Sequence, residues 1–480
     1  MNVHRTVTDV LIIGGGGAGL RAALAAREKG VTVTLVCKEL LARSGSTPLA
    51  SWGFAASFGH NDPADSPRQH FLDTLREGRY LGDEDLVETL AQNAPACALD
   101  LERYGLKIKK QKDGRFAQIS VPGETYPRSL IIEGGGVRIV RVLRQELLKH
   151  QNVRILEDTL IMGLLQYENS VTGAWGYNFR EGSLTVIEAA GVVIATGGHG
   201  ALWSLSDNPP GNIGDGYYLA YQAGADLVDL EMMLYYPMVI ISPPDAKGTL
   251  LDYEICLDAA FCAGELLNSR GEEFIRTSPL PARDELMQAI AREVREGRGS
   301  PHGGVYLALS RSGKPKAEIE QYAGSLLGAY RYLKDLGVDI VRDPVEIAPA
   351  AHYALGGIRI DNRCRTRVDG LFAAGEVTGN IHGANRISGN ALAETQVFGK
   401  IAGESAADYA RACKAKAANS CTGKLWQAAR EEQLKAAQEK LADLFSPEHP
   451  GKLPPALLKQ RVRRLRSEER RVGKECMPVC

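Results

Sequence analysis

The sequence predicts an α/β chain: a parallel sheet layered with helices, an inserted α+β capping domain, and a C-terminal helical segment. Three observations carry this. Residues 9–36 read strand, glycine turn, helix, strand, the pattern of a βαβ unit. Apolar runs ending in glycine recur further along, at 192–198 and 370–376. Between them, residues 227–345 change character, with more proline and longer polar helices. The pattern predicts a Rossmann-like domain in two parts, 1–226 and 346–410, around a capping domain at 227–345, with 411–480 as the helical segment.

Each element has a local reason. Residues 9–13 are an apolar run, 14–19 a glycine turn, and 20–29 an Ala/Leu-rich helix closed by Gly30. Alternation over 31–36 gives the second strand, and the crossover makes the pair parallel. Helical spacing runs through 64–105 and 137–150. Residues 153–156 and 160–194 alternate like strands, with a turn at Arg180-Glu181-Gly182. The apolar run 232–241 is broken by Pro237 and reads as a buried, bent strand. The strand signal at 371–374 returns the chain to the first sheet.

Composition excludes several classes. Fifty-seven basic residues face 58 acidic ones, for a net charge of −1, so there is no nucleic-acid or anionic-membrane footprint. The nine cysteines are scattered and form no C-x-x-C pair, so no metal or cluster site is expected. His60, His199 and His302 lack partners at metal-ligand spacing and read as surface or loop histidines. No apolar run reaches the ~18–20 residues needed to cross a bilayer. The N-terminal apolar stretch runs straight into glycines, so a cytoplasmic location without direct membrane insertion is expected.

The chemistry begins at Gly14-x-Gly16-x-x-Gly19, with Gly17 and Ala18 inside it. Glycines let the backbone turn tightly and approach a pyrophosphate, which the following helix stabilises with its exposed N–H groups and dipole. The acid that ordinarily ends the second strand of an NAD site is missing, since Val36 is followed by Cys37 and Lys38. Ala195-Thr196-Gly197 and Gly214-Asp215-Gly216 supply further tight turns, and Glu376 ends a strand where a carboxylate can accept sugar hydroxyls.

In this order, the motifs give a chain that resembles the fumarate reductase/succinate dehydrogenase flavoprotein family, which includes L-aspartate oxidase. The resemblance covers residues 7–410 and is most specific at 42–47, 266–274, Ala282-Arg283-Asp284, 352–357 and 382–390. It implies FAD, with Lys38, Ser44, Ser46, Thr47, Asn390, Ala391 and Leu392 joining the glycine motifs around the cofactor. It also implies a proton-delivering Arg283, a carboxylate-clamping Arg386 and a substrate-holding His352. Guanidinium groups suit these roles because they are planar, always charged and bidentate toward carboxylates. Arginine is a weak acid, so Arg283 needs neighbours to reprotonate it.

Two departures refine the expectation. The family's His-Pro-Thr run is Tyr236-Pro237-Met238 here, and its Thr-Glu pair aligns near Cys256-Leu257. Fewer polar ligands point to a monocarboxylate with an apolar tail, with Tyr236 and Met238 lining the pocket. Ser46 stands where membrane-bound relatives attach flavin through histidine, so FAD is expected to be non-covalent. The implied reaction is hydride transfer between flavin N5 and a small saturated or unsaturated carboxylate. Electrons would come from an iron–sulfur or other electron-transfer subunit. Alternatives are an L-aspartate oxidase-like enzyme, with Glu124 as the only acid near enough to hold an ammonium, and a non-catalytic electron-transfer subunit. The basic run 459–471 reads as a solvated helix face. Residues 466–480 lack apolar periodicity, so the end reads as truncated or non-native.

Overall fold

The glycine-punctuated opening folds as a parallel βαβ unit: β1 (Val3–Ile13), α1 (Gly17–Glu28) and β2 (Val33–Val36), with Ile13 opposite Val36. The computed structural model describes residues 2–50, 53–281, 283–324, 326, 328–417, 431–433 and 435–440. They divide into two units. The first comprises the described residues of Met1–His199, Gly211–Met232 and Ala354–Gln460; the second comprises those of Gly200–Pro210 and Met233–Tyr353.

In the first unit, α2 (Pro67–Glu77) and α3 (Glu84–Arg103) follow a three-residue strand, β3 (Gly53–Ala55). β3 forms a small antiparallel sheet with β4 (Gln118–Ile119) and β5 (Ser129–Ile131). After α4 (Gly136–Leu147) come β6 (Val153–Leu156), β7 (Thr159–Tyr167), β8 (Ser170–Asn178) and β9 (Ser183–Ile194). The main sheet has the order β6-β2-β1-β9-β8-β7. β9 pairs antiparallel with β8 along its first half, then parallel with the returning strand β16 (Leu371–Ala373) along its last three residues. The return predicted at 371–374 therefore forms.

α10 (Asn390–Ala417) lies along α1 through small residues. A Cβ on Gly403 would stand 2.1 Å from the Ala22 carbonyl oxygen, so only glycine admits this approach. That contact fixes the start of α10 relative to the glycine turn. α10 runs unbroken past residue 411, which is therefore no boundary. The basic run and the tail expected at 459–480 lie outside the described residues.

The second unit has its own sheet, ordered β11-β14-β13-β12: β11 (Met233–Ile240), β12 (Glu265–Leu267), β13 (Val305–Ala308) and β14 (Val345–Ala354). Four helices pack in it: α6 (Tyr253–Leu257), α7 (Arg283–Arg295), α8 (Lys316–Ala323) and α9 (Ala329–Asp335). Its core joins Met238, Ile240, Cys256, Leu257, Leu286, Val305 and Ile347, all shielded from water.

The partition departs from the expected limits for physical reasons. β10 (Leu227–Val228) pairs with β15 (Gly357–Ile358), which holds 227–232 in the first unit. β14 belongs to the second sheet, which keeps 346–353 there. Gly200–Pro210 joins the second unit through the Ser206–Ala351 bridge.

Candidate active site

The cofactor residues of the first unit gather around the end of β1. Gly14 has φ +119°, and a Cβ on Gly19 would lie 1.9 Å from the Gly14 oxygen, so the turn requires both glycines. Gly16 is the N-cap of α1 and provides no side-chain cap. The Gly17 N–H donates to Thr47 Oγ1 at 3.1 Å, which places Thr47 at the helix N-terminus. Ser46 Oγ accepts from Asn212 Nδ2 at 2.7 Å. Ser44 makes a local bond to the Leu40 carbonyl at 3.4 Å. Across the turn, the Ala195 N–H donates to the Ile13 oxygen at 2.8 Å. Thr196 Oγ1 is buried without a hydrogen-bonding partner, and Gly197 has φ +74°.

Lys38, at the end of β2, is ion-paired with Asp215, the first residue of α5 (Asp215–Gln222), and donates to the Gly211 oxygen at 2.5 Å. Glu376 follows β16; one of its oxygens accepts the Ala354 N–H at 3.1 Å. Ala391 and Leu392 form the first turn of α10. Asn390 is buried, and its side chain bonds His70 at 2.7 Å and Thr74 at 3.1 Å. These groups fit FAD: a helix N-terminus without a side-chain cap, a turn that admits only glycine, and a buried hydroxyl with no partner.

Arg386 is in the same unit, 6% exposed, with Nη1 donating to the Ile387 oxygen at 2.9 Å. Its loop is pinned to the α2–α3 turn. Ala384 N–H donates to the Gly78 oxygen at 3.0 Å, and Asp83 N–H donates to the Asn380 oxygen at 2.7 Å. Asn385 donates to Glu77 at 3.3 Å. A guanidinium fixed in this way is pre-organised for an anion.

The second unit brings Arg283, Tyr236 and His352 together. Arg283, at the start of α7, donates from Nη2 to Glu254 Oε1 at 3.2 Å. Its guanidinium carbon lies 5.3 Å from the ring centre of Tyr236 and 5.4 Å from that of Tyr253. Burial works against its charge, and Glu254 first, then the two tyrosines, outweigh it and raise its pKa. His352 Nδ1 lies 2.6 Å from Asp207 Oδ2, which orients the ring. The His352 and Tyr236 ring centres are 5.1 Å apart.

Glu254 is the residue that sequence reasoning missed. Burial first, then the charge of Asp252, push its pKa up to about 8, against the opposing pull of Arg283. A carboxyl that exchanges protons near neutrality and touches Arg283 is the neighbour the arginine needs. The expected Thr-Glu position at Cys256-Leu257 is corrected: both are buried in the apolar core, and the carboxylate comes two residues earlier. The signal was Asp252, an N-cap that starts α6 and puts an acid in its first turn.

Met238 is also corrected. It is fully buried in the core of the second unit and lines no pocket. His199 is in a loop but buried, with its ring centre 5.1 Å from that of Tyr217. His60 accepts the Phe116 N–H at 3.0 Å, and His302 pairs with Glu346 at 2.9 Å. Glu124 is enclosed: Oε1 accepts from Ser129 Oγ at 2.9 Å and Oε2 from the Val121 N–H at 3.1 Å. Burial raises its pKa to about 7. Among the described residues, no group of three or more His, Cys, Asp or Glu is placed to hold a metal ion, and no helix is long and apolar enough to cross a membrane.

A parallel βαβ sheet carrying a dinucleotide turn, with a guanidinium–carboxyl pair in the second unit, defines a flavoprotein oxidoreductase. The profile of a family described as an FAD binding domain matches residues 9–392. The flavoprotein-like fumarate reductase (CoM/CoB) polypeptide of Methanothermobacter marburgensis is 40% identical over 407 residues, covering 84% of this chain and 73% of that protein. L-aspartate oxidase of Streptomyces coelicolor is 35% identical over 416 residues, covering 84% and 69%. The solved structure of Mycobacterium smegmatis Sdh1 in complex with UQ1 superimposes with a TM-score of 0.83 at 35% identity, covering 96% and 76%. The chain belongs to the FAD-binding family of fumarate reductase and succinate dehydrogenase flavoproteins and is an FAD-dependent oxidoreductase acting on CH–CH groups.

Proposed function

We propose that this chain reduces the double bond of a small 2-enoate, or desaturates the saturated acid in reverse, as the flavoprotein part of an electron-transfer complex. The observation that carries this is the Arg283–Glu254 contact at 3.2 Å. When bound, FAD supplies or accepts the hydride at N5. The glycine turn, Thr47, Thr196 and the Lys38–Asp215 pair would hold it, and Ser46 in place of a histidine supports a non-covalent attachment.

Arg386 clamps the substrate carboxylate, and His352, oriented by Asp207, donates a further bond to the substrate. Arg283 places a proton on the alkene carbon next to the one that receives hydride. Protonated Glu254 then returns a proton to Arg283. In the second unit β11 supplies no cation for a second carboxylate, since Met238 is in the core. That supports a monocarboxylate with an apolar tail over a C4 dicarboxylate.

An oxidase acting on an amino acid would need an acid facing the ammonium, and both Glu124 oxygens are already engaged. The partner we assign is an iron–sulfur or other electron-transfer subunit, in keeping with the subunit names of the relatives. The test is anaerobic reoxidation of reduced holoprotein by fumarate and by short 2-enoic acids. Rapid reoxidation by an enoic acid is the expected result. Reoxidation by oxygen alone would overturn the reading and favour an oxidase.

A further inference from the structure

Tyr236 stands on β11 at the centre of the second unit's polar cluster and is 4% exposed. Its hydroxyl accepts the Tyr253 N–H at 3.1 Å and donates to Glu254 Oε2 at 3.4 Å. Tyr253 is the first residue of α6, so its N–H has no partner within the helix. Asp252 caps α6 at the Ile255 N–H, 3.2 Å away, and leaves the Tyr253 donor to the phenol. One hydroxyl from a neighbouring strand thus completes the helix start and holds the second oxygen of the carboxylate that meets Arg283. The faces of the ring add contacts: the Arg283 guanidinium at 5.3 Å, and the His352 imidazole at 5.1 Å with a 49° tilt.

We propose that Tyr236 is a positioning residue whose hydroxyl orients Glu254 toward Arg283 while its ring seats Arg283 and His352. Because both hydrogen-bonding roles of the phenol are filled within the protein, Tyr236 offers the substrate no polar ligand. That matches a substrate with an apolar tail, and this part rests on the proposed function. The groups facing Glu254 are Asp252 and Tyr253 from α6, Arg283 from α7 and Tyr236 from β11. His352 of β14, with Asp207 behind it, faces the far side of the Tyr236 ring.

The test is Tyr236→Phe in the holoprotein, which keeps the ring and removes the hydroxyl. Losing a donor to the carboxylate disfavours its ionised form, so the Glu254 carboxyl titrates at higher pH. The infrared C=O stretch of that carboxyl, assigned by its loss in Glu254→Gln, reads this without turnover. An upward shift of its midpoint in Tyr236→Phe supports the proposal, and an unchanged midpoint overturns it. In turnover, kcat for enoate reduction should fall about tenfold while KM and flavin content hold, and the high-pH limb should move with the infrared midpoint. A fall in kcat with the limb unmoved would mark Tyr236 as a packing residue and overturn the positioning role. If wild type reduces no enoate, the functional reading fails, while the infrared midpoint still decides the role of Tyr236.

Discussion

Arg283 Nη2 donates to Glu254 Oε1 at 3.2 Å, and both side chains are largely shielded from water, at 12% and 13% exposed. An arginine keeps its proton at any ordinary pH, so alone it would deliver one only slowly. A neighbouring carboxyl with a pKa near 8 turns the pair into a working donor. The sign follows from which form resupplies Arg283. Below about 8 Glu254 carries the proton, and above it the carboxylate cannot give one. Reduction should therefore decline as pH rises through about 8, while desaturation in reverse should climb. Replacing Glu254 by Gln should lower kcat about 100-fold and flatten that dependence. Steady-state rates from pH 6 to 10 check it; an unchanged profile in the variant would remove Glu254 from the proton path.

Arg386 is held by a loop fastened to the α2–α3 turn, so its guanidinium is set before substrate arrives. Lysine keeps the charge but loses the planar fork. Arg386→Lys should raise KM for the enoate by about 10- to 100-fold, the equivalent of one charge-assisted hydrogen bond. Its flavin spectrum should be unchanged. A comparable loss of flavin would place Arg386 on the cofactor instead.

Ser46 Oγ accepts from Asn212 at 2.7 Å, and a hydroxyl is no substitute for imidazole in a covalent flavin linkage. Acid precipitation of the holoprotein should therefore leave the yellow colour in the supernatant. Flavin retained in the pellet would mean attachment through another side chain.

The first sheet was legible because its rules are local. Gly14 and Gly19 must be glycine for the chain to turn, and the alternation at 31–36 has one reading. The return of β16 was legible for the same reason, an apolar run ending in glycine. Tyr236 and Met238 were harder to separate. Positions 236–240 of β11 are all buried, so alternation could not say which side chain faced the polar cluster. Glu254 was missed because α6 has only five residues, too short for a periodic signal. The limits of the second unit were misread because β10 and β15 are two residues each and pair across a long insertion. Nothing within a single stretch of sequence announces such a pairing.

The last prediction concerns a buried ion cluster in the first unit. Arg128 is fully buried, with Nη2 2.6 Å from Asp73 Oδ2 and 3.1 Å from Asp65 Oδ1. Asp73 also accepts the Thr125 N–H at 2.9 Å and the Thr125 hydroxyl at 2.6 Å, and these contacts with Arg128 keep its carboxyl below the usual carboxylate range despite burial. The arrangement ties α2 to the loop before β5. Removing one partner leaves charge in a place water cannot reach, which costs more than the pair contributes. Asp73→Ala should therefore destabilise the first unit by about 3–5 kcal/mol. The sign of the pH effect is set by the depressed pKa of Asp73. Its stabilisation is present above the ordinary carboxylate range and is lost as pH falls through its folded value. Urea unfolding of the holoprotein, followed by flavin fluorescence at pH 7 and pH 4, checks both statements. Wild type should lose stability at the lower pH, and Asp73→Ala should lose less. Equal losses in the two proteins would assign the acid sensitivity to carboxylates other than Asp73.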